Sequence, residues 1–149
     1  MQKSLLVILS LFTISLVAGC GGDKFKTYSV TGKVTYKEQP VAGATVSFGP
    51  KVNDVGDAAF GRTDTNGVYR LQTRLGKPEG GTTPGEYVVT VSKVDIVPTG
   101  KSSVGSGGEV IQEKKPVSVL PDKYGNPNQS PLSFTVEKKK NTYNIVIED

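Results

Sequence analysis

The chain has 149 residues, a length for one domain. It holds 18 Gly and 9 Pro but neither His nor Trp, and with abundant Val and Thr this favours many short strands over helices. The formal charge of +4 is scattered, and no stretch interleaves Arg with base-stacking aromatics, which sets a nucleic-acid partner aside.

Lys3 makes the start of the chain positive, and the run Leu5 to Val17 is largely apolar. That run is shorter than the roughly 20 residues a spanning helix needs, so residues 1–19 read as a signal segment. Small residues Ala18 and Gly19 precede Cys20, the one cysteine of the chain. Val17-Ala18-Gly19-Cys20 resembles the lipobox of bacterial lipoproteins: an aliphatic residue, two small residues, then Cys. The resemblance implies cleavage before Cys20, thioether lipidation of its sulfur and acylation of the new amino terminus. Two or more acyl chains hold a protein stably on a bilayer, where one does so marginally. The alternative is an ordinary secretory signal whose cleavage site happens to contain Cys. Gly21 follows Cys20 where an Asp would direct retention, so enterobacterial sorting points toward the outer membrane. The expected location is the cell envelope, in the outer membrane or on the periplasmic side of the inner membrane. Residues 20–27 are then the lipidated Cys20 and a flexible Gly-rich tether, and residues 28–149 the folded domain.

Tyr28, Val30, Gly32, Val34 and Tyr36 alternate along one face of a first strand, and Gly32 marks a bulge or a close backbone approach. Glu38-Gln39-Pro40 reads as a turn, and Ala44, Val46 and Phe48 point inward from the next strand. Ala58 to Thr63 is a weak strand centred on Phe60. Asp64-Thr65-Asn66-Gly67 is a hairpin turn, with Asp64 capping backbone and Asn-Gly supplying positive φ. The same residues match a fragment of a calcium loop, but no Glu stands at the spacing that loop requires. Beyond it, Tyr69 and Leu71 face one way and Arg70 and Gln72 the other. Pro84-Gly85-Glu86-Tyr87 opens the longest strand, with the Tyr87 ring inward and its hydroxyl toward backbone.

Val30-Thr31-Gly32-Lys33-Val34, the run Pro40 to Phe48, the turn Thr63 to Tyr69 and the Pro84-Gly85-Glu86-Tyr87 start resemble the carboxypeptidase regulatory-like domain. That family commonly has Gly before the proline, where Gln39 stands here. The resemblance implies an all-β chain: a seven-stranded Greek-key β-sandwich of the prealbumin type.

Residues 98–115 hold several Gly, Ser, Thr and Lys and few large apolar side chains, so a mobile loop is expected there. Pro121-Asp122-Lys123-Tyr124 and Ser130-Pro131-Leu132 are similar to segments of small planctomycete-type lipoproteins that carry this domain. They read as an irregular crossing pinned at the sandwich edge. Leu132, Phe134 and Val136 alternate, Lys138-Lys139-Lys140 is an exposed turn, and Tyr143, Ile145 and Ile147 close the sheet.

Without His the chain lacks the usual general base and the commonest metal ligand, and without a second Cys it lacks thiolate metal sites. Neither Ser-x-x-Lys nor Gly-x-Ser-x-Gly occurs. Prealbumin-like enzymes that hydrolyse hydroxyisourate depend on His, and in metallocarboxypeptidases this module is an appendage of the catalytic domain. The expectation is therefore no catalytic residue, no metal and no cofactor. The expected function is a lipid-anchored envelope β-sandwich with a structural, adhesive or protein-binding role, its partner an envelope protein or a glycan. The alternative is a carbohydrate-binding module in which Tyr28, Tyr36, Tyr124 or Tyr143 stacks on a sugar ring, against which stands the lack of Trp.

Overall fold

The computed structural model describes residues 26–52, 57–73 and 80–149. Its described residues form twelve strands and one three-residue 3-10 turn, and no α-helix. The chain is all-β. The leader, Cys20 and the tether through residue 25 lie outside the described residues.

Strand β1 (Val30–Tyr36) runs through the middle of the first sheet. Val30, Gly32 and Val34 are buried, as the alternation predicts. On one edge β1 pairs in parallel with β11 (Asn141–Thr142) and β12 (Ile145–Ile147). On the other it pairs antiparallel with β2 (Gln39–Pro40) and β5 (Val68–Arg70). The register from Val30↔Asn141 to Tyr36↔Ile147 is continuous, so β11 and β12 are one line of chain broken at Tyr143–Asn144.

The break has a local cause. Lys33 N–H donates to the Asn144 side-chain oxygen (3.0 Å), and the Tyr143 carbonyl accepts from the buried Tyr69 hydroxyl (2.7 Å). A Cβ on Gly32 would lie 1.8 Å from that carbonyl oxygen, so this glycine is the close approach that lets Tyr143 sit against β1. Burial holds the Tyr69 phenol well above its usual pKa, with the neighbouring Tyr143 adding to the effect.

The second sheet runs in the order β10 (Ser133–Val136), β7 (Gly85–Ser92), β3 (Thr45–Pro50), β4 (Ala59–Arg62), β6 (Gln72–Thr73), all antiparallel. Only Leu71 separates β5 from β6, so this stretch leaves the first sheet and enters the second. Leu71 N–H donates to the Val30 carbonyl (3.0 Å) at the crossing.

Between the sheets lie Val30, Val34, Val46, Phe48, Leu71, Tyr87, Val89, Val91, Ile145 and Ile147, all essentially buried. Each such side chain contributes about 1.5–3 kcal/mol by leaving water. Phe48 anchors an aromatic group, its ring 5.8 Å from Tyr87, 6.0 Å from Phe134 and 6.3 Å from Tyr143. The buried Tyr87 hydroxyl donates to the Thr83 carbonyl (2.8 Å) and lies 3.1 and 3.0 Å from the Thr82 and Thr83 hydroxyls. This is the inward ring and backbone-directed hydroxyl expected of Tyr87.

Two turns follow from their residues. Asp64 Oδ1 accepts from Asn66 N–H (2.9 Å) and Val68 N–H (2.8 Å), and Gly67 has φ +75°. The hairpin reading of Asp64 to Gly67 holds, and the Asp64 oxygen that a calcium loop would use is occupied by backbone donors. The turn after β1 differs from expectation: Lys37 (φ 50°) and Glu38 (φ 65°) are its centre, and Gln39-Pro40 already belongs to β2. Two positive-φ positions match a type I′ hairpin, whose twist suits flanking strands even when Asn-Gly is absent.

The largest departure is at residues 98–115. They are no loop but most of a long ribbon, β8 (Val94–Val104) paired antiparallel with β9 (Val110–Ser118). Gly105, Gly107 and Gly108 sit in its tip turn, where Gly108 N–H donates to the Gly105 carbonyl (3.0 Å) and Gly105 N–H to the Glu109 carbonyl (2.8 Å). The register slips between Pro98 and Ser102, which places Gly100, at φ +81°, in a bulge.

The crossing from Pro121 to Leu132 is pinned as expected. Tyr124 closes the 3-10 turn (Asp122–Tyr124), is buried, and accepts from Glu148 N–H (3.2 Å). Ser130 donates to the Val89 carbonyl and its hydroxyl accepts from Leu132 N–H.

Candidate functional site

Among the described residues, no three His, Cys, Asp or Glu side chains converge in a way that would hold a metal ion. The informative features are surfaces, and they are three: the four tyrosines singled out from sequence, an open groove where β4 meets β5, and the ribbon.

The structure does not bring the four tyrosines together. Tyr124 is buried in the core and its hydroxyl is engaged. Tyr143 is stacked on Phe134, ring centroids 4.5 Å apart, and packs on the core. Tyr36 is half-buried, its hydroxyl donates to the Asp149 carboxylate, and Lys37 Nζ lies 4.9 Å from its ring. These two neighbours hold the Asp149 carboxyl below the usual carboxylate range, the Tyr36 hydrogen bond first. Tyr28 is half-buried with Lys26 Nζ 5.7 Å from its ring centre. None of these rings offers a bare face comparable to that of Phe60.

Phe60 is the aromatic that sequence reasoning placed but did not turn outward. In β4 the small residues Ala59 and Gly61 face the core and Phe60 is 51% exposed. It lines an open groove of about 660 Å³ with Thr45, Arg62, Asp64, Arg70 and Gln72. The alternation of β4 held the signal: two small residues flanking one ring fit a tight inner face and put the ring outside.

The ribbon is the most exposed part of the fold. Every residue of β9 is exposed, and β8 and β9 pair only with each other among the described residues. Val94 is 57% exposed, Ile96 61%, Val104 73% and Val110 66%. Cross-strand partners share a face, and the pairs Ile96↔Pro116 and Val104↔Val110 join Val94 and Pro98 on one side of the ribbon. Val97, Ile111 and Val117 fall on the other. Pro98 and Pro116 have no N–H to offer an added strand, and Lys114 and Lys115 put charge on β9. Those devices discourage open-ended edge pairing. Gly105 to Gly108 flanked by Val104 and Val110 was the sequence signal for this hairpin, a glycine turn between β-branched residues.

No protein-family model matches the chain, and no curated protein matches it. Among solved structures the chain is similar to a 9R-lipoxygenase from Cyanothece PCC8801, with 13% identity and a TM-score of 0.34. The match covers 80% of this chain and spans 16% of that one, a likeness too slight to carry fold or activity across.

Proposed function

We propose that the protein is a lipid-anchored, non-catalytic β-sandwich of the cell envelope that docks another envelope protein on the apolar face of its β8–β9 ribbon. The observation that carries this reading is the ribbon itself. Two-stranded ribbons are marginal alone, and Val94, Ile96, Val104 and Val110, the more exposed apolar set and all on one face, mark an interaction surface. Lipobox residues Val17 to Cys20 support the anchor, in the outer membrane or on the periplasmic side of the inner membrane.

The finer fold reading is a seven-stranded Greek-key sandwich of the prealbumin, carboxypeptidase regulatory-like type. Joining β5 with β6 across Leu71, and β11 with β12 across Tyr143–Asn144, leaves seven long strands in the two larger sheets beside the two-residue β2, which supports it.

Labelled palmitate enters the wild-type protein and not Cys20→Ser if the anchor is right; no incorporation removes it. Photocrosslinkers at Ile96 and Val104 capture one defined envelope protein in cells, and a crosslinker at Thr142, in the body, does not. Equal capture from both places, or from neither, ends the docking reading.

One observation favours a second reading, a carbohydrate-binding module: Phe60 stands bare in a groove beside Val68, with Thr45, Arg62, Asp64, Arg70 and Gln72 supplying hydroxyl, amide and charged groups around it. A glycan array bound by the wild type and lost in Phe60→Ala supports that module; a blank array across envelope polysaccharides leaves the protein partner ahead.

A further inference from the structure

The described chain enters the sandwich through a basic notch, and the geometry points to that notch as a seat for an anionic phospholipid surface, which holds the ribbon at the far pole. Lys26, Arg70, Lys139 and Lys140 line one open groove of about 490 Å³ together with Tyr28. Three separate segments supply these cations, and backbone hydrogen bonds fix each segment there. Tyr28 exchanges hydrogen bonds with Thr82 (2.8 and 3.1 Å), which seats the entering chain. Asn141 N–H donates to the Ser29 carbonyl (2.9 Å), which brings the Lys138–Lys140 turn alongside. The buried Asn141 side chain shapes that turn by donating to the Glu137 and Lys139 carbonyls. The Leu71–Val30 bond places Arg70 beside it.

Among the described residues, Lys26, Arg70 and Lys140 make no ion pair, and Lys139 meets Glu137 at 2.6 Å with both side chains well exposed. Among the described residues, no acidic side chain lines the groove itself. A cluster of cations left without counter-charge matches a surface of phosphate groups.

Position selects the membrane over a soluble anion. Lys26 is six residues from Cys20, so the groove lies within about 22 Å of that sulfur's backbone even at full extension. The inference rests on the anchored reading. Strand β7 sets the distance to the ribbon. It starts at Gly85, just after Thr82 at the basic pole, and ends at Ser92, next to Val94 at the ribbon's base. Its eight residues span roughly 25 Å, so a membrane seated on the notch leaves the ribbon base on the side away from the bilayer.

The test uses the full chain purified from cell membranes. It is reconstituted on vesicles of phosphatidylcholine, and on phosphatidylcholine mixed with phosphatidylglycerol. Amine-reactive labelling is read by mass spectrometry at Lys26, Lys139 and Lys140, with Lys114 and Lys115 on the ribbon as internal controls. The expected result is several-fold protection of the notch lysines on the anionic vesicles only, lost in high salt as the screening length shortens. Arg70→Gln with Lys140→Gln weakens the attraction to the anionic surface by about fivefold per cation lost, so labelling at Lys26 and Lys139 returns to the level seen on the neutral vesicles. Equal labelling on both vesicles overturns the inference, as does protection of ribbon and notch lysines alike. Flotation with the neutral vesicles reports separately on the anchor. A chain that fails to float with them but floats with anionic vesicles at low salt has lost the anchor and kept the notch; one that floats with neither has lost both.

Discussion

Strands β7 and β8 are neighbours in the chain, parted by Lys93 alone, and both alternate. In β7 the apolar set Tyr87, Val89 and Val91 is fully buried. In β8 the set Val94 and Ile96 stands more than half exposed. Alternation specifies a strand and its two faces, but whether a face is covered depends on what the rest of the chain can bring to it. β7 lies between β3 and β10 with the first sheet across the core, whereas β8 has only β9. The body buries its apolar residues to fold; the ribbon leaves its own exposed, which is what the docking proposal builds on.

The sharpest way to break this contrast is at Phe48, where four rings meet. Phe48→Ala costs about 3–5 kcal/mol by urea unfolding of the full chain; a loss under about 1 kcal/mol would mean the sheets are not packed as described. Next comes Tyr87→Phe, which keeps the ring and removes the hydroxyl that serves Thr82 and Thr83. It costs about 1–3 kcal/mol by the same measurement, since buried partners lose a hydrogen bond.

The third effect is alkaline. The Tyr69 phenol is raised above its ordinary pKa of 10.0 by burial, and Tyr143 is raised too. A raised folded value means the neutral form is favoured in the fold. That stability is fully present below about pH 10 and declines as pH climbs beyond it, by at most about 1.4 kcal/mol per unit per group. Tyr69→Phe shallows the alkaline limb of a stability–pH curve; an unchanged limb contradicts the Tyr69–Tyr143 geometry. A smaller gain is expected at the first hairpin, where Lys37-Glu38→Asn-Gly relieves two positive-φ residues and adds about 1 kcal/mol. The smallest effect marks the other side of the contrast: Ile96→Ser on the ribbon changes stability within about 0.5 kcal/mol while abolishing partner capture.

The body was legible because its strands carry one-sided alternation: Val30, Gly32 and Val34, then Ala44, Val46 and Phe48, then Tyr87, Val89 and Val91 all face the core as the pattern requires. Gly32 was legible as a close approach, though not as the seat of the Tyr143 carbonyl 111 residues away. The first turn shifted because Lys37 and Glu38 accept positive φ without the residues that normally announce it. The ribbon was missed for a physical reason. Its lysines, serines and glycines dilute hydrophobicity below what a packed strand needs, and a strand that packs on nothing has no need of more. Of the tyrosines proposed as sugar platforms, Tyr124 is buried and Tyr143 packs on the core while Tyr28 and Tyr36 are half-buried, and Phe60 is the exposed ring, because alternation gives a face without giving what covers it.

The continuous register between β1 and the β11–β12 line also sets an order of events. Val34 cannot be matched with Ile145 until the chain has been made through residue 145, and the central strand of the first sheet stays half-paired until then. Such distant partners make for slow, late condensation. On the anchored reading proposed above, in which the chain is threaded through a membrane before it takes shape, that postponement keeps it loose until the passage is over.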